Sequence, residues 1–202
     1  MIKNIIFDLG NVLVNVLYGQ FREKIYNSNI SKERYDDFFM NGNYRLLGYE
    51  SGIIDTDEFV NRCISGLNLN MTSDEFIDAF NNMFSEITPM KEVVSSLSSQ
   101  GKYRLFLLSN TSPLHWDFAR KNFDFVNKLE KFGLSYELKS LKPEKEIFER
   151  AIKHFDINPD ECLFIDDLPE NCKSAEKCGI KSIVYDKNDH EKFMGEFEKV
   201  LG

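Results

Sequence analysis

In Ile5-Ile6-Phe7-Asp8-Leu9-Gly10-Asn11, three apolar residues run straight into a carboxylate and a turn, and apolar residues resume at Val12-Leu13-Val14. A short, apolar, β-branched run of this kind suits a strand buried on both faces, as in a parallel sheet. We expect that strand over residues 2–8. A carboxylate directly after it lies at the strand's C-terminal edge, where open α/β sheets bind ligands. Cys162-Leu163-Phe164-Ile165 repeats the pattern late in the chain and ends in the tandem acids Asp166-Asp167.

The texture between and beyond these strands sets the organisation. From Phe21 to about Phe84 helical spacing dominates, as in Phe76-Ile77, Phe80 and Met83-Phe84. Breaks fall near Asn41-Gly42-Asn43, Glu50-Ser51-Gly52 and Asn68-Leu69-Asn70, and Thr72-Ser73-Asp74-Glu75 carries the hydroxyl and early acids of a helix start. This stretch reads as a small all-helical insertion. After Thr88-Pro89, strands and helices alternate. Helices are expected around Val93–Leu97 with Gly101 as stop, from Trp116 to about Leu129, from Pro143 to Phe155, and from Pro169 to Lys177. Strands are expected at 104–108, after Phe132, at 163–165 and at 180–185. Such alternation implies a parallel sheet with right-handed crossovers. The expected fold is therefore α/β, a Rossmann-like doubly wound parallel sheet from 1–14 and 86–202 with a helical cap over 15–85. The stretch from Asp186 to Gly202 reads as a charged surface helix.

The bulk numbers narrow the function classes. The 202 residues suffice for a core domain plus an insertion, and 42% hydrophobic with 29% charged residues is ordinary for a globular protein. A net charge of −8 repels polyanions, which argues against a nucleic-acid partner. Cys63, Cys162, Cys172 and Cys178 show neither C-x-x-C spacing nor paired histidines, so reduced thiols in a cytoplasmic protein are expected. Asp8 interrupts the apolar N-terminus, which speaks against a signal peptide, and no stretch is long enough to span a membrane. Nothing in the sequence sets an oligomeric state.

Four segments fall at expected strand ends or helix starts: Asp8-Leu9-Gly10-Asn11, Ser109-Asn110-Thr111, Lys142-Pro143, and Asp166-Asp167 with Asn171. Together they offer a nucleophile, a hydroxyl and an amide, one cation and an acid pair. Carboxylates from two strands at one edge suit a hard cation such as Mg²⁺. A carboxylate beside such a cation is a plausible nucleophile toward phosphorus. In this order, with a helical insertion after the first, the segments resemble the four motifs of the haloacid dehalogenase superfamily. Glu50-Ser51-Gly52 followed by Glu58-Phe59 is similar to a cap loop of this branch. The likeness is greatest to bacterial sugar-phosphate phosphatases and to the phosphatase domain of soluble epoxide hydrolases.

The resemblance implies a Mg²⁺-dependent phosphatase of small phosphorylated substrates. Asp8 would form an aspartyl-phosphate, with Ser109 and Asn110 at the phosphoryl group and Lys142 neutralising charge. Asp8, the Gly10 carbonyl and Asp167 would hold the metal, with Asp166 set further back and Asn171 as an auxiliary. One position departs from the family pattern: Gly10 stands where most phosphatases carry the aspartate that protonates the leaving oxygen. Such an acid contributes ~10²–10⁴-fold. Glu50 from the cap and His115 are candidate replacements. Gly10 also keeps open a degenerate, binding-only protein. A metal-independent dehalogenase fits the tandem acids poorly, and a phosphomutase would need the missing acid.

Overall fold

Strand β1 (Asn4–Phe7) is the central strand of the main sheet in a computed structural model that describes residues 1–26, 30–41 and 43–202. The chain leaves it through β2 (Val14–Val16) and enters α1 (Tyr18–Tyr26), α2 (Lys32–Tyr35), α3 (Thr56–Leu67) and α4 (Ser73–Asn81). It returns through β3 (Phe84–Glu86) to α5 (Thr88–Gln100) and β4 (Arg104–Ser109). There follow α6 (Pro113–Asn122), β5 (Lys131–Leu134), α7 (Ser135–Leu138) and α8 (Lys145–Phe155). The last elements are β6 (Cys162–Asp166), α9 (Pro169–Lys177), β7 (Lys181–Val184) and α10 (His190–Leu201). The main sheet is wholly parallel, in the order β5-β4-β1-β6-β7. The order reverses beside β1, so a crevice opens at its C-terminal end.

Side-chain alternation explains why the strands are continuously apolar. Ile5, Phe7, Leu105, Leu107, Leu163 and Ile165 share one core with α5, α6 and α10. Ile6, Phe106, Leu108 and Phe164 point the other way, onto α8 and α9. In β1, β4 and β6 both faces are covered, so the middle positions of these strands are apolar.

Residues between β2 and β3 pack around a separate aromatic cluster. Phe21 meets Phe39 edge-on at 4.9 Å, and Tyr49 stacks on Phe59 at 4.2 Å. Helix α4 starts with a full capping box, Thr72 and Glu75 each bonding the other's backbone. The expected break at Asn41-Gly42-Asn43 falls partly on Gly42, outside the described residues.

Several expectations need correction. Phe84, read as helical, pairs with Val16 in a two-stranded antiparallel ribbon that carries the chain into and out of the insertion. Pro143 does not open α8. It lies in a turn two residues earlier, closed by Glu144 N donating to the Leu141 carbonyl at 2.8 Å, while Glu144 accepts from Ser140 Oγ at 2.7 Å. The helix expected from Trp116 to Leu129 breaks at Phe123 into a 3₁₀ turn. Helix α10 is not merely a surface helix, because Phe193 and Phe197, four apart, are buried against the sheet. None of the described helices is long and apolar enough to cross a membrane.

Phe106 is fully buried and stacks on Phe155 at 4.7 Å. Phe106→Ala is expected to lower unfolding stability by about 3–5 kcal/mol, measured by urea titration. A loss below about 1 kcal/mol would contradict this packing.

Candidate active site

The sheet register places the acids. Phe7 pairs with Ile165, so the residues that follow, Asp8 and Asp166, emerge side by side at one edge. Asp8 N donates to the Ile165 carbonyl at 2.9 Å, which keeps the two strands together past their last paired residues. Lys142 reaches between the two carboxylates: its Nζ is 2.8 Å from Asp8 Oδ1 and 2.6 Å from Asp166 Oδ2, and its side chain is 1% exposed.

Asn110 holds that lysine in place. Its Nδ2 donates to the Lys142 carbonyl at 2.9 Å, and its Oδ1 accepts from Lys142 N at 2.8 Å. A side-chain amide thus imitates a strand partner for a residue outside any strand. The other oxygen of Asp166 accepts from Leu168 N at 2.9 Å and from Asn171 Nδ2 at 2.8 Å. Asp166 is therefore consumed by its neighbours, and Asn171 serves it. Asp167 is only partly buried, and Asn11, at φ 53°, turns its side chain to it. Carboxylate oxygens of Asp8, Asp166 and Asp167 all lie within 4.8 Å of one another. Ser109 is buried at the end of β4, its hydroxyl only 3.5 Å from the Asn110 carbonyl, so it is nearly free to bond a ligand.

Asp8, Ser109, Asn110, Lys142, Asp167 and Asn171 form the floor of a cavity of about 350 Å³, with Asp166 fully buried beneath it. Its roof comes from the insertion: Phe21, Phe39, Phe80 and Met83, with Tyr44, Arg45 and Glu50 as polar members. Glu50, expected as a cap contribution, faces this cavity. Burial raises its pKa, while Arg45 and Tyr44 pull it back. His115 also lines the cavity, but it is stacked on Phe80 at 4.0 Å with Nε2 3.1 Å from the Phe80 carbonyl. Burial pushes it down to about 3, so it stays neutral and exchanges no proton near neutrality. That environment argues against the auxiliary acid–base role expected for it. Gly10 is not in the left-handed region, and a Cβ there would press on Val16 Cγ2 at 3.3 Å.

Three participants were not visible in the sequence. Tyr44 and Arg45 lie in a short 3₁₀ turn without motif character. Ser135, fully buried, links the insertion to the sheet: its Oγ is 2.6 Å from the Glu50 carbonyl and 3.1 Å from the Thr111 carbonyl, and it accepts from Thr111 N at 3.0 Å. Proximity to the Glu50-Ser51-Gly52 turn was the one available signal for the first two.

A family model described as haloacid dehalogenase-like hydrolase matches residues 2–179. A D-ribitol-5-phosphate phosphatase of Bacteroides thetaiotaomicron is 29% identical over 190 residues, covering 90% of this chain and 91% of that one. The solved structure of a HAD family enzyme from Bacteroides thetaiotaomicron, in complex with magnesium and inorganic phosphate, has a TM-score of 0.83 at 31% identity. It covers 93% of this chain and 96% of that chain. A HAD-like family hydrolase from Porphyromonas gingivalis gives a TM-score of 0.84 at 28% identity, over 100% and 98% of the two chains.

The charge balance of the floor is negative. Burial pushes Asp8 up to about 7; Lys142 opposes this and Asp166 adds to it. Burial works against the charge on Lys142, but Asp8 and Asp166 outweigh it, and its pKa is raised. Asp167 is raised by burial and then by Asp166. Because the folded pKa of Asp8 exceeds its unfolded value, the native state binds the extra proton, and metal-free stability falls as pH rises from about 4 to about 7. In metal-free protein at pH 8, Asp8→Asn should therefore be the more stable form, by on the order of 2 kcal/mol, with the advantage shrinking toward pH 4. Thermal unfolding at both pH values checks this; a variant less stable at pH 8 would mean that the Lys142 pair outweighs burial.

Proposed function

The chain belongs to the haloacid dehalogenase-like hydrolases, and we propose that it is a Mg²⁺-dependent phosphatase of small phosphorylated metabolites, sugar phosphates first among them. The observation that carries this reading is the floor itself: three carboxylates and one buried lysine at the C-terminal edge of two adjacent parallel strands. The ribitol-phosphate phosphatase relative and the neighbour complexed with magnesium and phosphate support it.

The donor set fits Mg²⁺. It is all oxygen, and three acids against one lysine leave an excess of negative charge. Asp8, the Gly10 carbonyl and Asp167 would hold the ion, with Asp166, already engaged, behind them. When bound, the ion supplies charge neutralisation on the transferring phosphoryl oxygens.

Lys142 occupies Asp8 Oδ1 and leaves Oδ2 for attack on phosphorus. A bond forms from Asp8 to phosphorus, the ester P–O bond breaks, and the alcohol oxygen leaves with a proton from solvent. Water then attacks phosphorus, and Asp8 is released as a carboxylate with inorganic phosphate. The Ser109 hydroxyl, with the N–H of Asn110, holds phosphoryl oxygens, and Lys142 balances the charge on Asp8. The apolar roof excludes bulk water from the intermediate. No acid is positioned at Gly10, so the first step is expected to be slow for substrates with poor leaving groups.

Phosphate release from a panel of sugar phosphates and nucleotides, with Mg²⁺ and with chelator, tests the reading. Release is expected with Mg²⁺ only, and Asp8→Asn should lower it more than about 10³-fold without unfolding the chain. No release on any ester from folded, metal-loaded protein would shift the reading to a binding role. Asp167→Asn should move the Mg²⁺ titration to higher concentration; an unchanged midpoint would reassign that ligand. A Cβ at position 10 needs Val16 Cγ2 to give by a few tenths of an ångström; with that shift, Gly10→Asp should raise kcat, by up to about 10²-fold for poor leaving groups. A decrease would show that the site has been rebuilt around glycine.

A further inference from the structure

The cavity wall has two basic residues among the described ones, and each is already charge-paired with a carboxylate, although Arg45 keeps N–H groups able to donate. Lys142 is committed to Asp8 and Asp166. Arg45 is committed to Glu50: its Nε lies 3.5 Å from Glu50 Oε2 and 3.4 Å from Tyr44 Oη, whose hydroxyl in turn donates to Glu50 Oε1 at 3.3 Å. Both Glu50 oxygens therefore face donors, an arrangement that suits an acceptor-only carboxylate. Its position is fixed from behind. The Glu50 carbonyl accepts from Ser135 Oγ at 2.6 Å, the Gly52 carbonyl accepts from Lys139 Nζ at 2.7 Å, and Tyr49 Oη accepts from Leu114 N at 3.3 Å. Gly52 lies at φ 67°, and a Cβ there would run into the Tyr136 carbonyl, so the turn is pressed against α7.

We infer that Arg45 and Glu50 form a charge-neutral reader for the substrate end remote from phosphorus, selecting a hydroxylated, uncharged tail and rejecting a second anion. The inference rests on the phosphatase reading for its choice of substrates. Hydroxyl groups can give hydrogen bonds to Glu50 and take them from Arg45 and Tyr44. A carboxylate or second phosphate finds no unpaired cation and must approach a buried anion. Apart from Tyr18, the other roof residues, such as Phe21 and Phe80, are apolar, and none gives a charged tail a cationic partner.

The test compares two esters that differ only at the far end: a five-carbon alditol 5-phosphate, ending in an alcohol, and the aldonate 5-phosphate, ending in a carboxylate. Wild-type kcat/KM should favour the alditol by at least about tenfold. Glu50→Gln frees Arg45 and should shift that ratio toward the aldonate by about 10–100-fold. Arg45→Gln leaves Glu50 without its cation and should shift the ratio the other way; being at the rim, it serves if the first variant does not fold. An unchanged ratio in the folded variants overturns the proposal. So does an equal loss in Glu50→Gln on both esters and on methyl phosphate, which would make Glu50 a proton donor instead. Calorimetric affinities of Asp8→Asn for the two esters read the same preference without turnover. Preference in binding with no wild-type hydrolysis would sink the phosphatase reading and keep the reader, whereas equal affinities would sink the reader.

Discussion

A single lysine ammonium, lodged between two carboxylates at the ends of adjacent parallel strands, is the interaction around which the floor of this molecule is organised. Lys142 lies within 2.8 Å of Asp8 and 2.6 Å of Asp166 and is nearly inaccessible to water. Burying three charges is tolerable only when each is paired and its remaining hydrogen-bonding capacity is met. Asn110 clamps the Lys142 backbone, and Leu168 N and Asn171 complete Asp166. The parallel register of β1 and β6 supplies the geometry, because it brings two strand ends level without any contribution from loops. The arrangement leaves Asp8 half-satisfied, with one oxygen bound and burial holding its pKa up to about 7. A strained anion of this kind costs stability in the empty protein, and the site gains from a divalent cation for the same reason.

The roof has the opposite character. Aromatic rings from α1 and α4 and from the turn before Asn41 form most of it, and polarity is concentrated in Tyr44, Arg45 and Glu50. Ser135 ties the two halves at main-chain level, contacting the Glu50 carbonyl on one side and Thr111 on the other. Thr111 follows the residue that holds Lys142. The roof's polar group and the floor's cation are thus connected through a short run of hydrogen bonds, all between buried or half-buried groups. Polar contacts of this type fix distance more firmly than the ring packing around them.

Asp8, Ser109 and the Asp166-Asp167 pair were legible in the sequence because each sits at a junction between an apolar strand and a turn, and continuous apolar runs mark such junctions, whereas Lys142 was legible only as the residue before Pro143 ahead of an amphipathic helix. The roof was legible only in outline. Helical spacing announced the insertion, but the ribbon of β2 and β3 was missed, since three-residue strands carry too little pattern and Phe84 continued an apparent helical face. Pro143 looked like a helix start and proved to be part of a turn organised by Glu144. Phe193 and Phe197 were visible, yet the charge around them hid that they complete the core.

The sequence by itself determined the α/β class, the family, and which acids and which lysine meet at one edge, because local pattern and chain order are enough to place residues at strand ends. Tertiary structure alone decided the rest. It stacked His115 on Phe80, whose carbonyl lies 3.1 Å from its Nε2, and tied the Ser135 hydroxyl to the Glu50 carbonyl at 2.6 Å. Those outcomes depend on burial and on side chains distant in sequence, and neither is encoded in the spacing of residues along the chain.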